Sequence, residues 1–109
     1  MRQVILDTSF ILTCVRQKID FFYWLKTDGI KIIIPEQVLK ELTWLGAELA
    51  LKIVNMNDFE LVKIPGKDAD AAIINFTKEN PEVIVATLDQ GLKKKIKNRK
   101  LVIRQKKKL

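Results

Sequence analysis

The sequence predicts an α/β protein, a three-layer α/β/α sandwich around a mostly parallel five-stranded sheet. Short apolar runs recur along the chain, and two of them, Val4–Leu6 and Val83–Ala86, are apolar at every position. That pattern suits strands covered on both faces, as in a parallel sheet. Helical apolar patterns separate the runs with short connections, in the order β-α-α-β-α-α-β-α-β-α-β, which calls for helices on the faces of the sheet. With 109 residues, 48% of them hydrophobic, the chain can build one core and no more. One domain is expected over residues 1–104, followed by a basic tail at 105–109.

The first strand ends abruptly in Asp7-Thr8-Ser9. Thr8 or Ser9 can cap the helix that follows through Phe10 to Cys14. A second helix is expected over Ile19–Leu25, stopped by Asp28-Gly29. Its dense aromatics read as core or a subunit contact. Ile30–Ile34 is the second strand, and Pro35 opens the next helix, where its missing N–H costs nothing. That helix runs through Val38, Leu39, Leu42 and Leu45. Glu41 lies three residues after Val38 and four before Leu45, which puts it at the edge of the apolar face. Leu49–Val54 resumes a helical pattern after Gly46. Phe59–Ile64 reads as a short edge strand, and Pro65-Gly66 as a turn. In Asp68-Ala69-Asp70, Asp68 is accounted for as a helix cap. Asp70, three and four residues before Ile73 and Ile74, projects from the apolar side of the first turn. Val83–Ala86 is followed by Thr87-Leu88-Asp89, the strand-then-acid order already seen at Asp7. A basic helix over Gln90–Asn98 and a final strand at Leu101–Ile103 complete the pattern.

Composition narrows the chemistry. The chain has no histidine, which removes Ser-His-Asp catalysis and His-ligated zinc. The single cysteine, Cys14, cannot form an internal disulfide and reads as a small core residue. No apolar stretch reaches the ~18 residues that cross a bilayer, so no membrane partner is expected. The N-terminus carries no signal-type pattern, so a cytoplasmic location is the expectation. The net charge of +7 is unevenly spread: residues 90–109 hold ten Lys or Arg and no acid, and the rest holds ten against all thirteen acids. A mildly acidic body with a basic end points to a polyanion, nucleic acid first.

If the first and fourth strands are neighbours, Asp7 and Asp89 emerge side by side at the carboxyl ends of the strands, where open α/β sheets bind ligands. The flanking helices can bring Glu41 and Asp70 to the same cleft. Four carboxylates so placed repel one another, and Mg²⁺ or Mn²⁺, which prefer oxygen ligands, would relieve that. Such a site suits phosphodiester hydrolysis, with the basic end on the phosphate backbone.

These segments resemble the PIN domain, the metal-dependent ribonuclease fold. The resemblance runs through Ile5-Leu6-Asp7-Thr8-Ser9-Phe10, Pro35-x-x-Val38-Leu39-x-Glu41-Leu42, Asp68-x-Asp70-x-x-Ile73 and Val85-Ala86-Thr87-x-Asp89-x-x-Leu92-Lys93. It covers almost the whole chain. The last segment, extended through Lys94, Lys95 and Ile96, is most similar to the ribosomal-RNA-processing type of archaea and eukaryotes, and VapC-type toxins share the same acids. The resemblance implies catalytic and metal-binding roles for Asp7, Glu41, Asp70 and Asp89, and supporting hydrogen bonds from Ser9 and Thr87. One departure stands out: family members often carry a second acid two residues after the one matching Asp89, and here that residue is Gly91.

The expectation is therefore a Mg²⁺- or Mn²⁺-dependent endoribonuclease acting in ribosomal RNA processing. A VapC-type toxin ribonuclease and a non-catalytic RNA-binding scaffold are the alternatives. RNA is expected to bind Lys93, Lys94, Lys95, Lys97, Arg99, Arg104, Lys106, Lys107 and Lys108. The aromatic helix and the resemblance together imply a homodimer, and the resemblance adds an antitoxin or a ribosome-assembly partner.

Overall fold

Strand β1 (Gln3–Leu6) is the centre on which the rest is laid. The computed structural model describes residues 2–101. In it, β1 pairs in parallel with β2 (Lys31–Pro35) on one side and β4 (Ile84–Ala86) on the other, and β3 (Glu60–Val62) adds to the outside of β2. The sheet order is β3-β2-β1-β4. Side chains alternate across it, as strand geometry requires. Val4 and Leu6, Ile32 and Ile34, and Ile84 and Ala86 face one apolar cluster, whereas Ile5, Ile33 and Val85 face the other.

Helices α1 (Thr8–Arg16), α2 (Phe21–Thr27), α3 (Glu36–Trp44) and α4 (Glu48–Asn55) cover the first face with Phe10, Ile11, Phe21, Phe22, Val38, Leu42 and Val54. The second face is covered by α5 (Ala69–Glu79) and α6 (Gln90–Lys94), through Ile73 and Leu92, with Ile96 just beyond. Three layers result, all built from side chains that the apolar spacing selects. Fully burying one Leu, Ile or Val stabilises the fold by about 1.5–3 kcal/mol, so the central strand's Val4, Ile5 and Leu6, all 0% exposed, are among the residues it can least lose.

The sheet has four strands among the described residues, not five. Its fifth position begins at a single parallel bridge between Val85 and Lys100, held by the Val85 amide on the Arg99 carbonyl and the Leu101 amide on the Val85 carbonyl. Val102 and Ile103, expected in that strand, lie outside the described residues, as do Arg104 and Lys106–Lys108. Helix α6 is also shorter than the expected Gln90–Asn98. The run of lysines there sets like charges on neighbouring turns, and Asn98 pulls the chain away by donating from Nδ2 to the carbonyls of Asn80 and Val83 at 2.9 and 2.8 Å.

Local chemistry sets the other boundaries. Asp20 caps α2 by accepting from the Tyr23 amide at 3.1 Å, and Asp68 caps α5 by accepting from the Ala71 amide at 2.9 Å. Gly46 separates α3 from α4 at φ 69°, a backbone state that side chains disfavour. Leu45, expected on the apolar face of α3, sits at its C-terminal end and is 53% exposed. The aromatic helix divides: Phe21 and Phe22 are core, Tyr23 and Trp24 face outward. Cys14 is fully buried, and burial pushes its thiol up to about 12, so it stays protonated and inert. No helix among the described residues is long and apolar enough to cross a membrane.

Candidate active site

The parallel register of β1 and β4 builds the centre of the site. Leu6 pairs with Ala86, so one step further along both strands Asp7 stands beside Thr87. The Asp7 amide still donates to the Ala86 carbonyl at 2.9 Å, and the Thr87 hydroxyl donates to Asp7 Oδ2 at 2.7 Å. Ser9 Oγ donates to the same oxygen at 3.1 Å and accepts from the Leu88 amide at 3.0 Å. The Asp89 amide in turn donates to Thr87 Oγ1 at 3.1 Å. Two hydroxyls thus tie the end of β1 to the loop after β4. Asp7 occupies the N-cap position of α1, yet its side chain makes no cap bond; the carboxylate is turned to Thr87 instead. It is 3% exposed. Burial holds its carboxyl above the ordinary 3.8, hydrogen bonds from Thr87, the Thr8 backbone and Ser9 pull the other way, and the Glu41 charge adds to the rise.

Glu41 reaches in from α3. Its Oε1 accepts from Thr8 Oγ1 at 2.8 Å and its Oε2 from the Ala69 amide at 3.0 Å. One side chain therefore fixes the starts of both α1 and α5. Thr8, expected only as a cap of α1, is instead the donor to Glu41. Asp70, in the first turn of α5, is half-buried, and it accepts no hydrogen bond among the described residues. Its carboxyl is raised above 3.8 by burial and then by the charges of Asp7, Asp89, Asp68 and Glu41. Asp89 is exposed and caps α6, its Oδ1 accepting from the Leu92 amide at 3.1 Å. A Cβ on Gly91 would stand 3.2 Å from that oxygen, closer than an ordinary contact, so the Asp89 carboxylate would have to shift by a few tenths of an ångström to admit one.

The acids share one electrostatic neighbourhood, but no group of three or more among the described residues is closed up enough to hold a metal ion as it stands. The donor set still suits a hard cation. It is all oxygen, and Mg²⁺ is commonly held by one or two carboxylates while keeping several waters. Of the basic residues expected to meet RNA, Lys94, Lys95, Lys97 and Arg99 are exposed and Lys93 is partly so, all just beyond Asp89 along the chain.

A three-layer parallel α/β fold that gathers acids at the carboxyl ends of adjacent strands is the class this chain defines. Residues 4–108 match the family of PIN-like domains, and the chain belongs to it. Ribonuclease VapC4 of Methanocaldococcus jannaschii is 33% identical over 123 residues, covering 98% of this chain and 94% of that protein. The rRNA-processing protein fcf1 of Schizosaccharomyces pombe is 37% identical over 101 residues, covering 86% of this chain but 53% of that protein, so the chain spans about half its length. Among solved structures, the PIN domain endonuclease Utp24 superposes with a TM-score of 0.76 at 35% identity, covering 85% of this chain and 75% of that one. PAE2754 from Pyrobaculum aerophilum, with a TM-score of 0.64 at 16% identity over 91% of this chain and 83% of that one, shares the fold.

Proposed function

We propose that this chain is a Mg²⁺- or Mn²⁺-dependent endoribonuclease and that Asp7, Glu41, Asp70 and Asp89 form its catalytic and metal-binding set. The observation that carries the reading is the β1–β4 junction, where Thr87 and Ser9 hold the Asp7 carboxylate beside the loop that presents Asp89. Asp70 and the second oxygen of Asp89, engaged by no side-chain or cap donor among the described residues, would hold the ion together with Asp7. Glu41 completes the set from the α3 side and fixes the start of α5 beside Asp70. When bound, the metal polarises the phosphoryl oxygen, acidifies the attacking water and stabilises the leaving oxygen. Ser9 and Thr87 keep Asp7 oriented, as supporting partners of metal-binding carboxylates do. Lys93, Lys94, Lys95, Lys97 and Arg99, with Arg104 and Lys106–Lys108 of the tail, bind the RNA phosphates.

Ribosomal RNA processing is the setting favoured by the likeness to fcf1 and Utp24. A toxin ribonuclease held by an antitoxin is the second reading, and it is favoured by the near full-length match to VapC4. The exposed Tyr23 and Trp24 of α2 suit a homodimer contact in either setting, in the cytoplasm. The test is incubation of the pure protein with structured and single-stranded RNAs in Mn²⁺, Mg²⁺ or EDTA. Cleavage in Mn²⁺ or Mg²⁺ that EDTA abolishes, and that Asp7→Asn removes, supports the reading. Undiminished cleavage by Asp7→Asn rules it out. Growth arrest on expression, relieved by a co-expressed neighbouring gene product, would decide for the toxin.

A further inference from the structure

Helix α3 carries a second set of side chains beside Glu41. Gln37, Lys40, Glu41 and Trp44 recur at spacings of three and four and so share one side of the helix. With Lys67 and Asp68 from the loop before α5, they line an open cleft of about 290 Å³. Trp44 is 86% exposed, an extreme value for an indole, whose large apolar face gains nothing from water. The cleft holds two acids and two cations, but they are not equivalent. Glu41 accepts from Thr8 and the Ala69 amide, and Asp68 accepts from the Ala71 amide. Lys40 and Lys67 form no ion pair among the described residues. The cleft therefore offers a flat π-surface and two free cations next to the acidic cluster.

The loop that brings Lys67 here is built rather than draped. Gln37 Nε2 donates to the carbonyls of Ile64 and Gly66 at 2.6 and 3.0 Å, fastening the turn to α3. Gly66 presses against α5 so closely that a Cβ would lie 2.6 Å from the Ala72 amide nitrogen, so the approach requires glycine.

We propose that this cleft is a subsite for single-stranded RNA, in which a base stacks on Trp44 while Lys40 and Lys67 take the adjoining phosphates. An aromatic platform flanked by cations is how single strands are bound without base-edge readout. Because Glu41 belongs to both places, a strand lying here passes directly into the acidic site from the α3 side, opposite in chain position to the basic residues after Asp89. The proposal rests on the ribonuclease reading above and names part of its substrate path. The exposed Leu45 next to Trp44 in the chain makes a protein surface the competing occupant.

The test is binding, so that it does not depend on cleavage. In EDTA, a fluorescein-labelled oligouridine is titrated by anisotropy against the full chain and its variants. Trp44→Ala is expected to weaken binding about fivefold to a hundredfold, the range for losing one base–aromatic stack, and Trp44→Phe to recover most of it. Lys40→Ala and Lys67→Ala should each reduce the salt slope by about 0.7. In a Trp24→Phe background, oligouridine should quench the remaining indole. Wild-type affinity in Trp44→Ala, or an indole signal indifferent to RNA, overturns the subsite. Loss of self-association in Trp44→Ala with RNA affinity unchanged overturns it too, and makes Trp44 a subunit contact. If Trp44→Ala binds weakly while Asp7→Asn cleaves normally, the subsite stands and the catalytic assignment falls; the reverse pair leaves catalysis standing alone.

Discussion

Strands β1 and β4 lie side by side, run in the same direction, and each leads into an acid followed by a helix. Asp7, one residue past β1, is buried, is bound by two hydroxyls, and leaves the cap of α1 unfilled. Asp89, three residues past β4, is exposed and caps α6. The same sequence signature has given a carboxylate held for some purpose other than its helix, and one that serves its helix with one oxygen and leaves the other open. The difference comes from where the chain leaves the sheet. Asp7 is still inside the ladder, where desolvation acts on it in full. The extra Thr87-Leu88 carries Asp89 out to solvent.

The two acids should respond differently to substitution. The largest effect is expected on catalysis. Asp7→Asn and Asp70→Asn should each lower metal-dependent RNA cleavage on the order of a hundredfold to a thousandfold, the cost of removing a group that stabilises developing charge, measured as single-turnover rates. Thr87→Val should cost less, about 10- to 100-fold, because it removes a partner of Asp7 and not the carboxylate itself. Equal rates for Thr87→Val and wild type would mean that the link between the two strand ends is idle.

Stability separates the acids again, at smaller magnitude. Asp70 carries a folded-state pKa above 3.8. Its ionisation therefore works against the metal-free fold, with a penalty that is absent well below 3.8, grows as pH rises through the raised value, and is complete at neutral pH. Asp70→Asn should therefore melt above wild type at pH 7 without metal, by less than the metal-induced rise, as followed by thermal melts. The gap should close in acid. A gap that widened in acid would place Asp70 in a stabilising pair instead. Asp89→Asn should barely change the melt, because asparagine caps as well as aspartate does.

Much of this contrast was legible in the sequence. Apolar runs that stop at Asp7 and after Ala86 fixed the strand ends, and Asp68 was readable as a cap, because both signals are local. Thr87 against Asp7 follows once the two strands are taken as neighbours. What was not legible depends on the third dimension. Leu45 fits the spacing of an apolar face but lies past the last turn that the core covers. The aromatic run of α2 looked uniform, yet the helix buries Phe21 and Phe22 and exposes Tyr23 and Trp24. That Glu41 spends both oxygens on Thr8 and Ala69 requires three elements to meet. Nothing in the neighbours of Trp44 announces that its side of α3 is left uncovered.

The most direct test of the central claim, that four acids share one site, needs no substrate. Divalent metal bound to the folded state stabilises it by RT ln(1 + [L]/Kd), about 2.7 kcal/mol at a hundredfold excess over Kd. For a domain of this size that raises the melting temperature by roughly ten degrees or more. Thermal melts of wild type, Asp7→Asn and the surface control Glu48→Gln, with and without millimolar Mn²⁺, should show a large rise for wild type and for Glu48→Gln. Asp7→Asn should show a much reduced one. A wild-type melt unmoved by Mn²⁺, or a Glu48→Gln response as blunted as that of Asp7→Asn, would contradict the claim.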